Sequence, residues 1–143
     1  MGEGLLLGIL ALGGLQAPAT GDCLRYEPAV SELRGRIERA VRPGVPNFED
    51  IRKGDQPETI WILRLARPVC VVPVSPSDDR NSSEKDVREI QLVLSAPQYK
   101  LFAPLAPREV KVRGPLFHAH TGHHHTQVLQ TVNQIESVES RTR

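Results

Sequence analysis

VREIQLVLSAPQYKLFAPL, residues 87–105, sets the order of elements from which the fold is read. Its first eight residues are rich in Val, Ile and Leu, and they stop at Ser95 followed by Ala96-Pro97. Serine favours the N-cap because its hydroxyl accepts an amide hydrogen of the first turn, and proline is tolerated there because those amides have no helical partner. The segment therefore predicts a strand over residues 87–94 and a short helix over residues 96–105. Beyond it, EVKVRGPLFHA (109–119) and residues 124–135 are expected to form two further strands. The polar end, residues 137–143, is expected to fray.

Upstream, VSELRGRIERAV (30–41) alternates with period two. Leu33, Gly35, Ile37 and Val41 share one parity and Arg34, Arg36 and Glu38 the other, which predicts a strand with Gly35 at a bend or bulge. TIWILRL (59–65) is a second strand, with Trp61, Leu63 and Leu65 on one side. Arg67-Pro68 then predicts a turn, with a third strand over residues 69–74 and Pro73 near its end or at a bulge. Pro43-Gly44, Pro46-Asn47 and Gly54-Asp55 mark a long loop over residues 43–58, and SPSDDRNSS (75–83) has the composition of an exposed one. The order is strands, then a helix, then two more strands. It predicts a mostly β fold, a small five-stranded OB-like barrel with one short helix between strands three and four. A generic small β-barrel or an α+β meander fits almost as well.

The N-terminal stretch stands apart from that domain. LLLGILALGGL (5–15) is an apolar run too short to span a bilayer, and Ala17-Pro18-Ala19 supplies small residues for a signal peptidase. Residues 1–19 are thus expected to be a signal peptide, although Met1-Gly2-Glu3-Gly4 lacks the usual basic residue. Residues 20–136 are then one OB-like domain in the periplasm or outside the cell, with no membrane span. Removing Glu3 with the leader leaves 18 basic against 16 acidic residues, a net charge of +2. That balance gives no reason to expect nucleic acid, which calls for a clustered basic face. In an oxidising compartment Cys23 and Cys70 read as one disulfide, with two buried free thiols as the alternative.

All five histidines fall in FHAHTGHHHT, residues 117–126. With Thr121-Gly122 as the centre of a two-residue hairpin turn, His120 faces His123 and His118 faces His125, so four imidazoles project from one side of the ribbon. His124 points the other way with Phe117 and Ala119. Four clustered imidazoles suit zinc, copper or nickel. In an OB-fold the loop over residues 43–58 rises at the same mouth, so Glu49, Asp50, Asp55 or Glu58 could complete the metal shell or orient a ring. Phe48 and Trp61 could line a binding surface there. The other uses of such a cluster are a hydrogen-bonded hairpin, solvated turn formers, a core tryptophan, or a pH sensor.

FHAHTGHHHT, PNFEDIRKGDQPETIWIL (46–63) and EKDVREIQLVL (84–94) together resemble the bacterial family described as domain of unknown function 4431. The resemblance extends over roughly residues 23–135; it implies an exported bacterial protein and supplies no mechanism. Three functions compete. One is metal binding through the hairpin, and another is an envelope module that binds a protein or glycan at the barrel mouth. The third, a metal-dependent hydrolase, lacks a placed general base. No phosphate loop, G-x-S-x-G elbow or HEXXH spacing occurs in the chain, and no catalytic residue or organic cofactor is expected.

Overall fold

The computed structural model describes residues 22–138. The expected signal peptide (1–19) and the last residues of the expected tail (139–143) lie outside them. The elements are β1 (Leu24–Arg25), β2 (Val30–Pro43), β3 (Pro57–Val72), β4 (Glu84–Val93), α1 (Ala96–Phe102), β5 (Glu109–His118), β6 (Val128–Thr131) and β7 (Gln134–Ser137), with 3₁₀ turns at Ile51–Lys53 and Ala103–Leu105. The fold is mostly β with one short helix. Among the described residues no helix is long and apolar enough to cross a membrane.

Alternation decides β2. Ser31, Leu33, Gly35 and Ile37 are buried while the residues between them are exposed. The pattern lapses beyond Ile37, and Val41 is exposed. At Gly35 the strand is paired on both sides, with Leu65 of β3 and Val110 of β5. A Cβ there would lie 2.1 Å from the Arg64 carbonyl oxygen, so the crossing admits only glycine.

Two expected boundaries are corrected. Arg67-Pro68 is not a turn between strands, because β3 runs through it. Proline cannot donate to a ladder, and the β3–β4 register shifts between Arg64 and Val69 to pass it. The segments before and after it are therefore one strand, which leaves β2, β3 and β4 as the long strands ahead of the helix. Residues 124–135 are not one strand either. They give β6 and β7, separated at Val132-Asn133, where Val132 N–H donates to Val93 O (3.1 Å) and Asn133 N–H to Arg113 O (2.9 Å). Ser137 lies opposite Val110 in β7 and Val138 N–H donates to Glu109 O at 3.0 Å, so these two residues are held, not frayed.

β2 pairs antiparallel with β3 and β5, β5 with β6, and β3 with β4, while β4 and β6 run parallel. Followed from β3 through β2, β5, β6 and β4, the pairing returns to β3. β1 adds in parallel to the far end of β3, and β7 adds to β5. The core lies among these strands and includes Leu33, Ile37, Leu63, Ile90, Val112 and Leu116. Each such side chain contributes roughly 1.5–3 kcal/mol by leaving water. Trp61, 4% exposed, belongs to this core and does not line a surface.

The helix starts where Ser95 places it. Gln98 N–H donates to Ser95 Oγ (3.4 Å) and Ser95 N–H to Gln98 Oε1 (2.7 Å), a reciprocal capping box. Phe102 packs against the core from its end. Cys23 and Cys70 form the expected disulfide, next to the Leu24–Val71 pair of β1 and β3.

Candidate functional site where two loops meet

Residues 44–56, between β2 and β3, fold around one carboxylate. Asp55 is buried and accepts the amides of Asn47 (2.9 Å), Glu49 (2.7 Å) and Asp50 (2.9 Å). The amides of Glu49 and Asp50 hold its carboxyl below the usual carboxylate range, against a lesser upward push from burial. A lowered carboxyl stabilises the fold at pH above the ordinary value, and the contribution is lost as pH falls through the lowered one. Asp55→Asn puts an NH₂ group where a backbone amide donates. Amide exchange at Asn47, Glu49 and Asp50 should accelerate at least tenfold, about 1.4 kcal/mol, while core amides keep their protection. Unchanged exchange at those three amides would show that the loop does not depend on the carboxylate.

The β5–β6 connection is not a two-residue turn. Its ladder ends at His118 opposite Val128, with one further bond from Ala119 N–H to Gln127 O (2.9 Å). His124 N–H donates to Thr121 O at 3.1 Å, so the turn is centred on Gly122-His123. The loop is held wide by side chains from elsewhere. Gln91 Oε1 accepts His125 N–H (2.7 Å) and its Nε2 donates to His123 O (3.0 Å). Thr126 Oγ1 accepts Gln91 N–H (2.9 Å) and donates to Val128 O (2.7 Å). Gln91 was not among the expected site residues. Its signal was a polar side chain between Ile90 and Leu92 in an apolar run.

With that register the four-imidazole face does not form. His123 Nδ1 donates to Glu58 Oε2 (2.8 Å), and His125 Nε2 donates to Glu58 Oε1. His118 is apart from them, its Nε2 facing Glu84 Oε1 at 2.9 Å and its Nδ1 facing Ala119 O at 3.0 Å. His120 donates through Nδ1 to His118 O (3.2 Å) and stacks edge-on with His124, centroids 4.6 Å apart. The histidines thus occupy three places. Of the four carboxylates expected near them, only Glu58 arrives; Asp55 folds its own loop, Asp50 caps the Ile51–Lys53 turn through Arg52 N–H (2.8 Å), and Glu49 is exposed. The two loops do meet as expected, and Phe48 joins them, its ring 4.8 Å from that of His123. A Cβ on Gly122 would lie 2.5 Å from the Phe48 ring, so this glycine serves close approach.

Burial raises the Glu58 carboxyl, but hydrogen bonds from His125 and His123 and their charge outweigh it, and its pKa falls below the usual range. His124 is lowered by burial first, then by the charges of His120, His123 and His125. Its Nδ1 accepts the amides of His120 (3.0 Å) and Thr121 (3.3 Å), which requires that nitrogen to be bare. The contribution of the turn is present above the ordinary imidazole pKa and lost as pH falls through the lowered value. In a pH titration followed by NMR, the His120 and Thr121 amide signals should shift in step with the His124 ring. Amides that stay still while the ring titrates would refute the cap.

Beside His125 an open groove of about 440 Å³ crosses β3, β4 and residues 125–127. Its charged side chains are paired among themselves. Arg64 bridges Glu38 and Glu89, and Arg88 meets Asp86 at 3.1 Å. The rim beyond them is His125, Thr126 and Gln127, and Val87 is the one hydrocarbon side chain of the lining.

Among the described residues no group of three or more His, Cys, Asp and Glu side chains is arranged to hold a metal ion. No curated protein matches the chain. β5, β6, the histidine loop and the second half of β4 fall within residues 89–136, and over those residues the chain matches the family model described as Domain of unknown function (DUF4431), the family it resembles in sequence.

Proposed function

We propose that the chain is an exported bacterial binding protein with an OB-like barrel, which takes an uncharged, hydroxyl-rich envelope oligosaccharide in the groove beside His125. Export is supported by the apolar leader and by the disulfide, a bond that forms and persists mainly in oxidising compartments. The barrel reading is supported by the return of the strand pairing to β3. OB-folds bind oligosaccharides and oligonucleotides on the face of their second and third strands, between the two loops that meet here.

One observation carries the ligand class: the groove is charged but neutralised within itself. A phosphodiester chain finds no free cation there, and a protein partner finds no apolar anchor of the kind that dominates protein interfaces. What remains is a trough of charge-paired, hydroxyl and amide side chains over their hydrocarbon stems, suited to the hydroxyl and amide groups and the ring faces of a sugar. An N-acetylglucosamine tetramer serves as the probe, titrated by NMR beside a sulfated polysaccharide. The tetramer should perturb residues 86–89 and 125–127, and Gln127→Ala with Arg88→Ala should weaken it roughly tenfold or more. Perturbation by the polyanion alone, or no perturbation at these residues, would sink the reading.

The Glu58 cluster supports a second reading. His123 and His125 present imidazole nitrogens, a donor type that suits zinc, copper or nickel, and the carboxylate between them adds a third donor. As they stand the three are bonded to one another, so an ion must replace those hydrogen bonds. Calorimetry with zinc, copper(II) and nickel separates the readings. Submicromolar, stoichiometric binding that Glu58→Gln loses and His118→Ala keeps would establish a metal site, and its absence would leave the groove as the function.

A further inference from the structure

A second depression, of about 330 Å³, lies against the histidine loop, lined by Glu27, Arg80, Asn81, Phe117, His118 and His120. Its inner polar groups are already engaged. Asn81, 6% exposed, accepts His118 N–H through Oδ1 (2.9 Å) and donates to Asp78 through Nδ2 (2.8 Å). Both nitrogens of His118 face oxygen atoms. The walls are therefore rigid, set by long-range bonds between residues 78–84 and β5. Glu27 is anchored by its own amide, which donates to Leu116 O at 2.7 Å.

Two opposite charges on this rim are outside any ion pair, although the charge of Arg80 also acts on Asp78. Among the described residues neither Arg80 nor Glu27 has an ion-pair partner, and the two are not paired with each other although both line the same depression. The half-buried ring of Phe117 and the ring of His120, centroids 5.8 Å apart, line the same depression. The Nδ1 of His120 donates to a carbonyl, which leaves its Nε2 as an acceptor. This contrasts with the groove beside His125, where every arginine of the lining has found its carboxylate.

The geometry points to a binding site for a small zwitterion of the amino-acid class. Arg80 receives its carboxylate, Glu27 with His120 Nε2 receives its ammonium, and its side chain lies on Phe117. A ligand with only one of these charges leaves the other rim group unanswered. The depression has room for a single amino acid and not for a polymer. The site shares no lining residue with the oligosaccharide groove, so the two readings stand or fall separately.

L-Phenylalanine tests this, titrated into the full chain and followed through the ring signals of Phe117 and His120. Phenylacetate lacks the ammonium and phenethylamine lacks the carboxylate, so each isolates one charge. L-Phenylalanine should bind roughly tenfold or more tighter than either comparator. Arg80→Gln should erase its advantage over phenethylamine, and Glu27→Gln its advantage over phenylacetate. Both side chains are exposed, and unchanged melting of the variants confirms that the fold is intact. Equal binding of phenylacetate would reduce the site to an anion contact and overturn the proposal. Unmoved ring signals up to the solubility limit would overturn it too, as would binding indifferent to both variants.

Discussion

Replacing Cys23 and Cys70 together by alanine should lower the unfolding free energy by about 4 kcal/mol. The bridge closes a loop with a sequence separation of 47, and a cross-link over that length removes much of the freedom of the unfolded chain. The native side of the balance points the same way. β1 is two residues long and meets β3 only at Leu24–Val71 and Arg25–Val72. The fully buried Tyr26 follows directly, its hydroxyl donating to Ser82 O at 2.6 Å. Without the bridge, the start of the domain is held by two ladder pairs, the Tyr26 side chain and the backbone bonds from Tyr26 N–H to Val72 O (3.0 Å) and Glu27 N–H to Leu116 O (2.7 Å). Denaturant unfolding of the oxidised protein and the double variant checks this, read from the midpoint at unchanged slope. A midpoint within error of the parent would show that β1 and Tyr26 dock as well unaided.

Gly114→Ala should cost about 3 kcal/mol or more. A Cβ at this position would sit 1.7 Å from the Thr131 carbonyl oxygen and 3.2 Å from the amide nitrogen of Asn133. These are backbone atoms at the break between β6 and β7, so no side-chain rotation relieves the clash. The strands must separate, and the separation reaches a buried polar link, since Gln130 Nε2 donates to Gly114 O (3.1 Å) and Ser31 O (3.0 Å). Gly54→Ala is the matched control. Its φ of 109° strains any side chain, but nothing lies within 4 Å of the added carbon, so its loss should be nearer 1 kcal/mol. Comparable melting temperatures for the two variants would mean that β5 and β6 can slide apart freely.

Features written in local pattern were legible in the sequence. Ser95 and Pro97 announced the helix, alternation announced β2 as far as Ile37, and the two cysteines announced their bridge. The meeting of the two loops followed from element order, and it brought Glu58 to the histidines. The histidine register did not follow, for a definable reason. Thr121-Gly122 is acceptable in a tight turn, but the loop's shape is set by Gln91 and Thr126 bonding across a sequence separation of 32 to 35. No periodicity within residues 117–126 encodes those bonds. Pro68 misled in the opposite direction, since a proline that ends a strand and one that a register shift accommodates look alike in sequence. Asn81 was hidden in a segment of purely loop-like composition, yet it is buried and fixes the backbone of His118.

The four residues of β6 have a consequence for how the molecule is made. Val128–Thr131 lies between β4 and β5, and β4 was synthesised more than thirty residues earlier. Such non-local closure is slow, because loop entropy is lost before the contacts are gained. The order of synthesis therefore makes β6 the last strand of the ring to arrive. A chain that stops short of Val128 leaves the side of β4 that β6 would cover as an unpaired ladder, a template for joining another chain. C-terminal truncations ending before this segment should therefore aggregate during production instead of yielding a smaller folded domain.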